Sequence, residues 1–250
     1  MGSPEVTPGD RTRPAFYAAR PGRLRDWWTL LHPPYTAWHL SYVVVGACLA
    51  PVVALNSLLA TLTAFFLAVG VAAHAYDELQ GRPLRTGIPN WALLTACVAG
   101  LTGALTLGIF GVLEVGVVLV PFIIVGPLLV LAYNADLFGG VFHTDLGFAL
   151  SWGAFPVLTA YVAQAAALSW SAALAACGAT ALSLAQRSLS TPARLLRRRV
   201  VDVQGAVVLG DGSESPIDRN GLLAPLERGL RTLTWASVLL AAALAIFRLG

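Results

Sequence analysis

Apolar residues run along this chain in blocks too long for the core of a soluble domain. Seven of them, near 37–54, 56–76, 91–111, 113–134, 145–164, 169–187 and 231–248, predict seven membrane-spanning helices. Each is about 18 to 22 residues, enough to cross a hydrocarbon layer of about 30 Å at about 1.5 Å per residue. Lipid offers no hydrogen-bond partners, so helices are the expected form. The connections alternate in character. Those near 50, 111 and 163 are short and almost uncharged; the N-terminal arm, 74–90, 134–145 and 186–231 are polar. One other period interrupts the pattern. "VVDVQGAVVLGDGSES" alternates apolar and polar residues around glycines, which predicts a small β-hairpin over 200–216. Asp218 then stands as an N-cap for an amphipathic helix running into the last span.

Composition supports this reading. The 250 residues are 57% hydrophobic and 12% charged, about half the charge of a soluble domain. All 16 basic residues are Arg, and all but Arg248 fall in the polar connections. By the positive-inside rule these face the cytoplasm, with the N-terminus inside and the C-terminus outside. The chain is expected to be an integral membrane protein of the bacterial inner (plasma) membrane, in contact with membrane lipids and not with nucleic acid. Cys48, Cys97 and Cys177 lie inside apolar blocks without metal-ligand spacing and read as packing residues. Gly100, Gly103 and Gly108 read as points of close helix approach.

The expected organisation has four parts. Residues 1–26 form a disordered basic arm, and the first thirty residues lack the apolar core of a signal peptide. Residues 27–187 form a bundle of six spans with a cytoplasm-facing polar cavity, preceded by an interfacial stretch carrying Trp27, Trp28 and Trp38. Residues 188–230 form a cytoplasmic Arg-rich segment with the hairpin and the amphipathic helix. Residues 231–250 hold the seventh span.

Candidate chemistry collects at the polar ends. "HAYDELQGRPLRTGIP" (74–89) closes the second block, and the helical spacing puts Asp77 and Glu78 on the face of His74. Ionisable groups at a span's end either reach the headgroups or line a functional cavity. "YNADLFGGVFHTDLGFALSWG" (133–153) contributes Tyr133, Asn134, Asp136, His143 and Asp145, with no Arg to make it a topology signal. "SLAQRSLSTPARLLRRR" contributes Gln186, Arg187 and Arg194. The Arg run there suits either anionic lipid or a substrate phosphate.

This layout resembles the UbiA-type intramembrane prenyltransferase superfamily, the helical bundles related to 4-hydroxybenzoate polyprenyltransferase. "RPLRTGIP" is similar to a stretch of that family, and residues 133–161 look like its junction between the fourth and fifth spans. The resemblance covers roughly residues 28 to 190. It implies an all-α polytopic bundle that binds an isoprenoid diphosphate through Mg²⁺ held by two Asp-rich motifs. Here His74 stands for the family's Asn, Glu78 for its first Asp and Arg82 for its last, and the second motif has no carboxylate. The family typically has nine spans, two more than are read here. Asp77 and Glu78 are then the Mg²⁺ ligands that the resemblance implies, with His74 and Tyr133 beside them as catalytic candidates. Arg82, Arg85, Asn134, His143, Asp145, Gln186, Arg187 and Arg194 are the candidates for substrate binding. Tyr76, Phe148 and Trp152 are candidate aromatics for a carbocation.

Three functions remain open from the sequence. One is prenyl transfer or terpene cyclisation on an isoprenoid diphosphate. Another is a metal-dependent membrane enzyme using His74, Asp77 or Glu78, His143 and Asp145. The third is a non-catalytic binder of a lipid or quinone, or a partner subunit.

Overall fold

The computed structural model of the chain describes residues 13–134 and 144–250. Eight helices and one hairpin follow in order: α1 (Arg23–Leu30), α2 (Pro33–Cys48), α3 (Leu55–Leu79), α4 (Asn90–Val115), α5 (Val120–Asn134), α6 (Asp145–Ala165), α7 (Trp170–Arg198), β1 (Gly205–Val208), β2 (Glu214–Ile217) and α8 (Arg219–Leu249). Four of them, α3, α4, α6 and α8, are long and apolar enough to cross a membrane. The helix α2 has 16 residues and α5 has 15, preceded by the 3₁₀ turn Val117–Leu119.

Local chemistry sets the boundaries. Pro33 opens α2, where its missing N–H is harmless. Thr144, Ser169 and Asp218 cap α6, α7 and α8, each accepting from a backbone N–H three residues on. Gly116, at φ 104°, ends α4. The amphipathic helix expected after Asp218 and the last span form one continuous α8 of 31 residues. The hairpin pairs Gly205 with Ile217 and Val208 with Glu214 in antiparallel register, at the place where apolar alternation predicts it.

The central helix is α2, packed on α6 and α8. Trp38, Tyr42, Val43 and Ala47 are buried there. A Cβ at Gly46 would collide with the Val157 carbonyl, so the backbones of α2 and α6 touch directly. Gly100 does the same for α4 against the Leu67 carbonyl of α3, as the sequence reading expects of a small residue. The outward faces of α4 and α8 expose Leu94, Ile109, Phe110, Leu240 and Phe247, surfaces that lipid tails solvate without penalty. Arg248, the one Arg away from the polar end, donates to the carbonyls of Ala50 and Pro51 in the turn between α2 and α3.

Two helices carry π-helical stretches, Phe66–Ala73 in α3 and Leu150–Ala154 in α6. Such stretches re-aim side chains and occur often at functional sites. Residues 13–22, part of the arm expected to be disordered, lie folded against the bundle, with Ala15 and Ala18 buried. The Ala19 N–H donates to Thr29 Oγ1 at 2.9 Å.

Candidate functional site: a polar cavity above an apolar one

At the Arg-rich end of the bundle is a cavity of about 200 Å³. The residues 14–17 cover it. The turn into α2 and α2 itself supply His32, Tyr35 and His39; α3 supplies His74 and Asp77. On the far side, α7 supplies Gln186, Ser190, Arg194, Arg197 and Arg198, and α8 supplies Glu227. Tyr133, Phe148 and Trp152 form its inner wall.

A second cavity, of about 300 Å³ and largely apolar, lies between α3, α4, α5 and α6. Ala64, Leu105, Phe122, Ile123 and Phe155 line it, with Asn56, Ser57 and Glu114 among its few polar neighbours. Val69 and Trp152 belong to both walls. Each stands within one of the two π-helical stretches. The two cavities therefore adjoin across a wall shared at Val69 and Trp152, placed where the helices depart from α geometry.

That shared wall has a specific brace. Residue 156 is proline and has no N–H for the Trp152 carbonyl in the usual i→i−4 ladder. His39 Nδ1–H donates to that carbonyl at 2.9 Å instead, leaving Nε2 as an acceptor. His39 also packs near Phe148 and Trp152.

The imidazoles of His32 and His74 stack with centroids 4.0 Å apart. His32 holds a left-handed backbone, φ 46°, just before Pro33 and Pro34. A non-glycine residue in that region is strained, and such strain clusters at functional sites. Burial first, then His74, Arg198 and Arg194, push the His32 pKa well below its ordinary value, so the ring is neutral at pH 7. Its Nε2 is buried with no hydrogen-bond partner among the described residues. Gln186 Oε1 is likewise buried without one. A bound ligand or water is the usual reason for a buried polar atom left open on a cavity wall. Burial also raises the Tyr17 phenol, with Tyr35 adding to the effect against the pull of Arg198 and Arg194.

The sequence-predicted residues divide sharply. His74, Asp77, Tyr133, Gln186 and Arg194 meet on the one cavity. Glu78 faces the other way. It is fully buried, and its carboxylate accepts from the N–H groups of Leu84 and Thr86 at 2.9 and 2.8 Å and from the Thr86 hydroxyl at 2.8 Å. Arg82 donates to the carbonyls of Thr86 and Ile88 and to Asn90 Oδ1. Arg82 and Arg85 both take left-handed backbones, at φ 56° and 55°, and Arg85 is exposed. So "RPLRTGIP" is a loop braced by Glu78 before it and by its own Arg82, and neither of these two side chains lines the cavity. Arg187 donates to Asp145 Oδ1 and, at 2.9 Å, to the Tyr133 hydroxyl, and lies over the Phe148 ring. It ties α5, α6 and α7 together beside the cavity. Tyr76 packs with Leu30 and Leu93 instead of on the cavity. Asp136, His143 and the Asn134 side chain lie outside the described residues. Arg198 belongs to the Arg run that the sequence offers for a substrate phosphate, whereas His32, His39, Tyr17 and Tyr35 are cavity residues that no motif announced. For His32 and Tyr35 the one available signal was their flanking of Pro33-Pro34.

Asp77 and Glu227 are the carboxylates among the described cavity residues, and Glu227 is held by a two-pronged pair with Arg197. No three His, Cys, Asp or Glu side chains among the described residues converge as metal ligands. Mg²⁺ on a diphosphate needs carboxylate oxygens in near-octahedral array. The described donors do not fit that cage.

Fold and cavity together define a mostly helical protein with four helices long and apolar enough to cross a membrane, and with a basic, aromatic cavity beside an apolar one. No protein-family model, no curated protein and no solved structure matches this chain.

Proposed function

We propose that this chain is a membrane protein of about seven spans, UbiA-like in layout, that acts on an isoprenoid diphosphate from the cytoplasmic face. The observation that carries the reading is the adjacency of the two cavities. A polar cavity with Arg194 and Arg198 on its wall adjoins an apolar cavity across Val69 and Trp152. That sequence of surfaces matches an amphiphile with an anionic head and a hydrocarbon tail. Guanidinium groups suit phosphate oxygens through charge-assisted, often bidentate bonds. Charge growing on a departing diphosphate would fall to Arg194 and Arg198. The prenyl carbon that it leaves would lie at the inner wall of the polar cavity, where Trp152, Tyr133 and Phe148 can present ring faces to a carbocation.

A second reading has its own support. Glu78 and Arg82 are committed to their loop, and the described donors do not fit Mg²⁺. On that reading the same cavities hold an isoprenoid lipid without converting it.

Binding and turnover separate the two. In lipid nanodiscs, geranylgeranyl diphosphate is expected to bind, and geranylgeraniol to bind much more weakly. Loss of one charge-assisted contact in Arg194→Ala or Arg198→Ala should weaken the diphosphate about tenfold or more. Equal affinity for the alcohol would overturn the diphosphate enzyme and leave a binder of neutral isoprenoid lipid. Release of pyrophosphate from bound substrate supports the enzyme; tight binding without release supports the non-catalytic binder.

A further inference from the structure

We propose that residues 13–17 are a resident cover of the headgroup cavity, a strap that a ligand's phosphate must displace. The proposal rests on the headgroup reading of that cavity. Phe16 and Tyr17 lie in its wall, so the strap closes one side of the space that a headgroup would use. More telling, the strap's backbone engages the cations. Arg198 Nε donates to the Pro14 carbonyl at 3.3 Å, and Arg197 Nη1 to the Arg13 carbonyl at 3.5 Å. These are long bonds to neutral acceptors. A phosphate oxygen offers a shorter bond in which the acceptor is charged as well as the donor. Strap and phosphate therefore compete for one guanidinium, and the phosphate is the stronger ligand.

The strap is held at two further points that do not line the cavity. Arg231 lies over the Phe16 ring, 5.0 Å from its centroid. Thr29 Oγ1 accepts from the Ala19 N–H. Beyond them, Gly22 at φ 156° joins the strap to α1 and is the position best able to change backbone direction. Tyr17 closes the cover, its ring 5.3 Å from His32 and 5.6 Å from Tyr35. Displacing the strap would free the strained His32 side of the cavity together with Arg198.

Arg231→Ala and Thr29→Val loosen the strap without touching the cavity wall. In the full chain, each is expected to bind geranylgeranyl diphosphate about three- to tenfold more tightly, because apparent affinity rises with the open fraction. Chymotrypsin provides an independent readout, since cleavage after Tyr17 requires the strap to leave. Both variants should be cut faster than the unmodified chain, and inorganic pyrophosphate should accelerate cutting of the unmodified chain. Unchanged or weaker binding in variants that are cut faster would overturn the proposal. So would pyrophosphate that slows the cutting, which would make the strap a cover that closes on the ligand. No binding of the diphosphate by any form, with pyrophosphate still freeing Tyr17, would sink the isoprenoid reading and leave the strap's displacement standing.

Discussion

Asp77 and Glu78 are adjacent carboxylates with opposite roles. One helix step of about 100° turns the first toward the cavity and the second into the loop that follows. Three donors converge on Glu78, all from residues 84–86. Removing a buried charged acceptor leaves those donors unpaired. Glu78→Ala should destabilise the fold by about 2–4 kcal/mol, read as a lower thermal midpoint in detergent. Ligand affinity measured below that midpoint should change little. A loss of affinity without a loss of stability would put Glu78 in the site. His32 makes a different prediction. Its folded pKa lies below the unfolded value of about 6.5, so the unfolded chain binds the proton more readily. Stability should be full above pH 7 and fall as pH drops through 6.5, by up to about 1.4 kcal/mol per pH unit from this group. His74, stacked on it, and Arg194 and Arg198 make any added charge there more unfavourable. Unfolding midpoints of His32→Phe across pH 5 to 8 should trace a flatter curve than those of the unmodified chain. Parallel curves would remove His32 as the cause.

Helices and their interruptions decide where those residues meet. Apolar block length announced the long helices, because lipid demands internal hydrogen bonds and an apolar exterior. The alternation in 200–216 announced the hairpin, and Asp218 its following helix. The π-helical stretches were not legible, since "FLAVGVAA" and "LSWGA" read as ordinary apolar helix. Their placement depends on packing between helices and on Pro156, whose effect reaches back to the Trp152 carbonyl. The strap was hidden for a similar reason. Pro, Gly and Arg mark residues 13–22 as a poor helix, yet Phe16 and Ala18 find a surface that exists only after α7, α8 and α1 assemble. Likewise Glu78 could be told from Asp77 only once the loop had closed on it. The contact of α2 with α6 belongs to this scale too. Gly46→Val would drive a side chain into the Val157 backbone, which cannot move aside as a flexible side chain can. The expected loss exceeds the about 1–3 kcal/mol of ordinary overpacking. Yield of folded monomer on size exclusion would register it; an unchanged profile and midpoint would show that the two helices stand further apart.

At the scale of the whole molecule, the polar end gathers charge and the long apolar helices expose apolar faces. The polar cavity, the wall at Val69 and Trp152 and the apolar cavity follow one another from the Arg-rich end inward. Their order gives the account its central claim: a single amphiphile occupies both chambers, head among the arginines and tail past Val69 and Trp152. A geranylgeranyl diphosphate bearing a photoreactive diazirine at the tail's far end tests this most directly. After irradiation in nanodiscs, peptide mapping should place the crosslinks on α4 and α5, within residues 104–130, and excess unlabelled diphosphate should abolish them. Crosslinks confined to the polar chamber, or spread over the lipid-facing surfaces of α4 and α8 and insensitive to competitor, would contradict the claim.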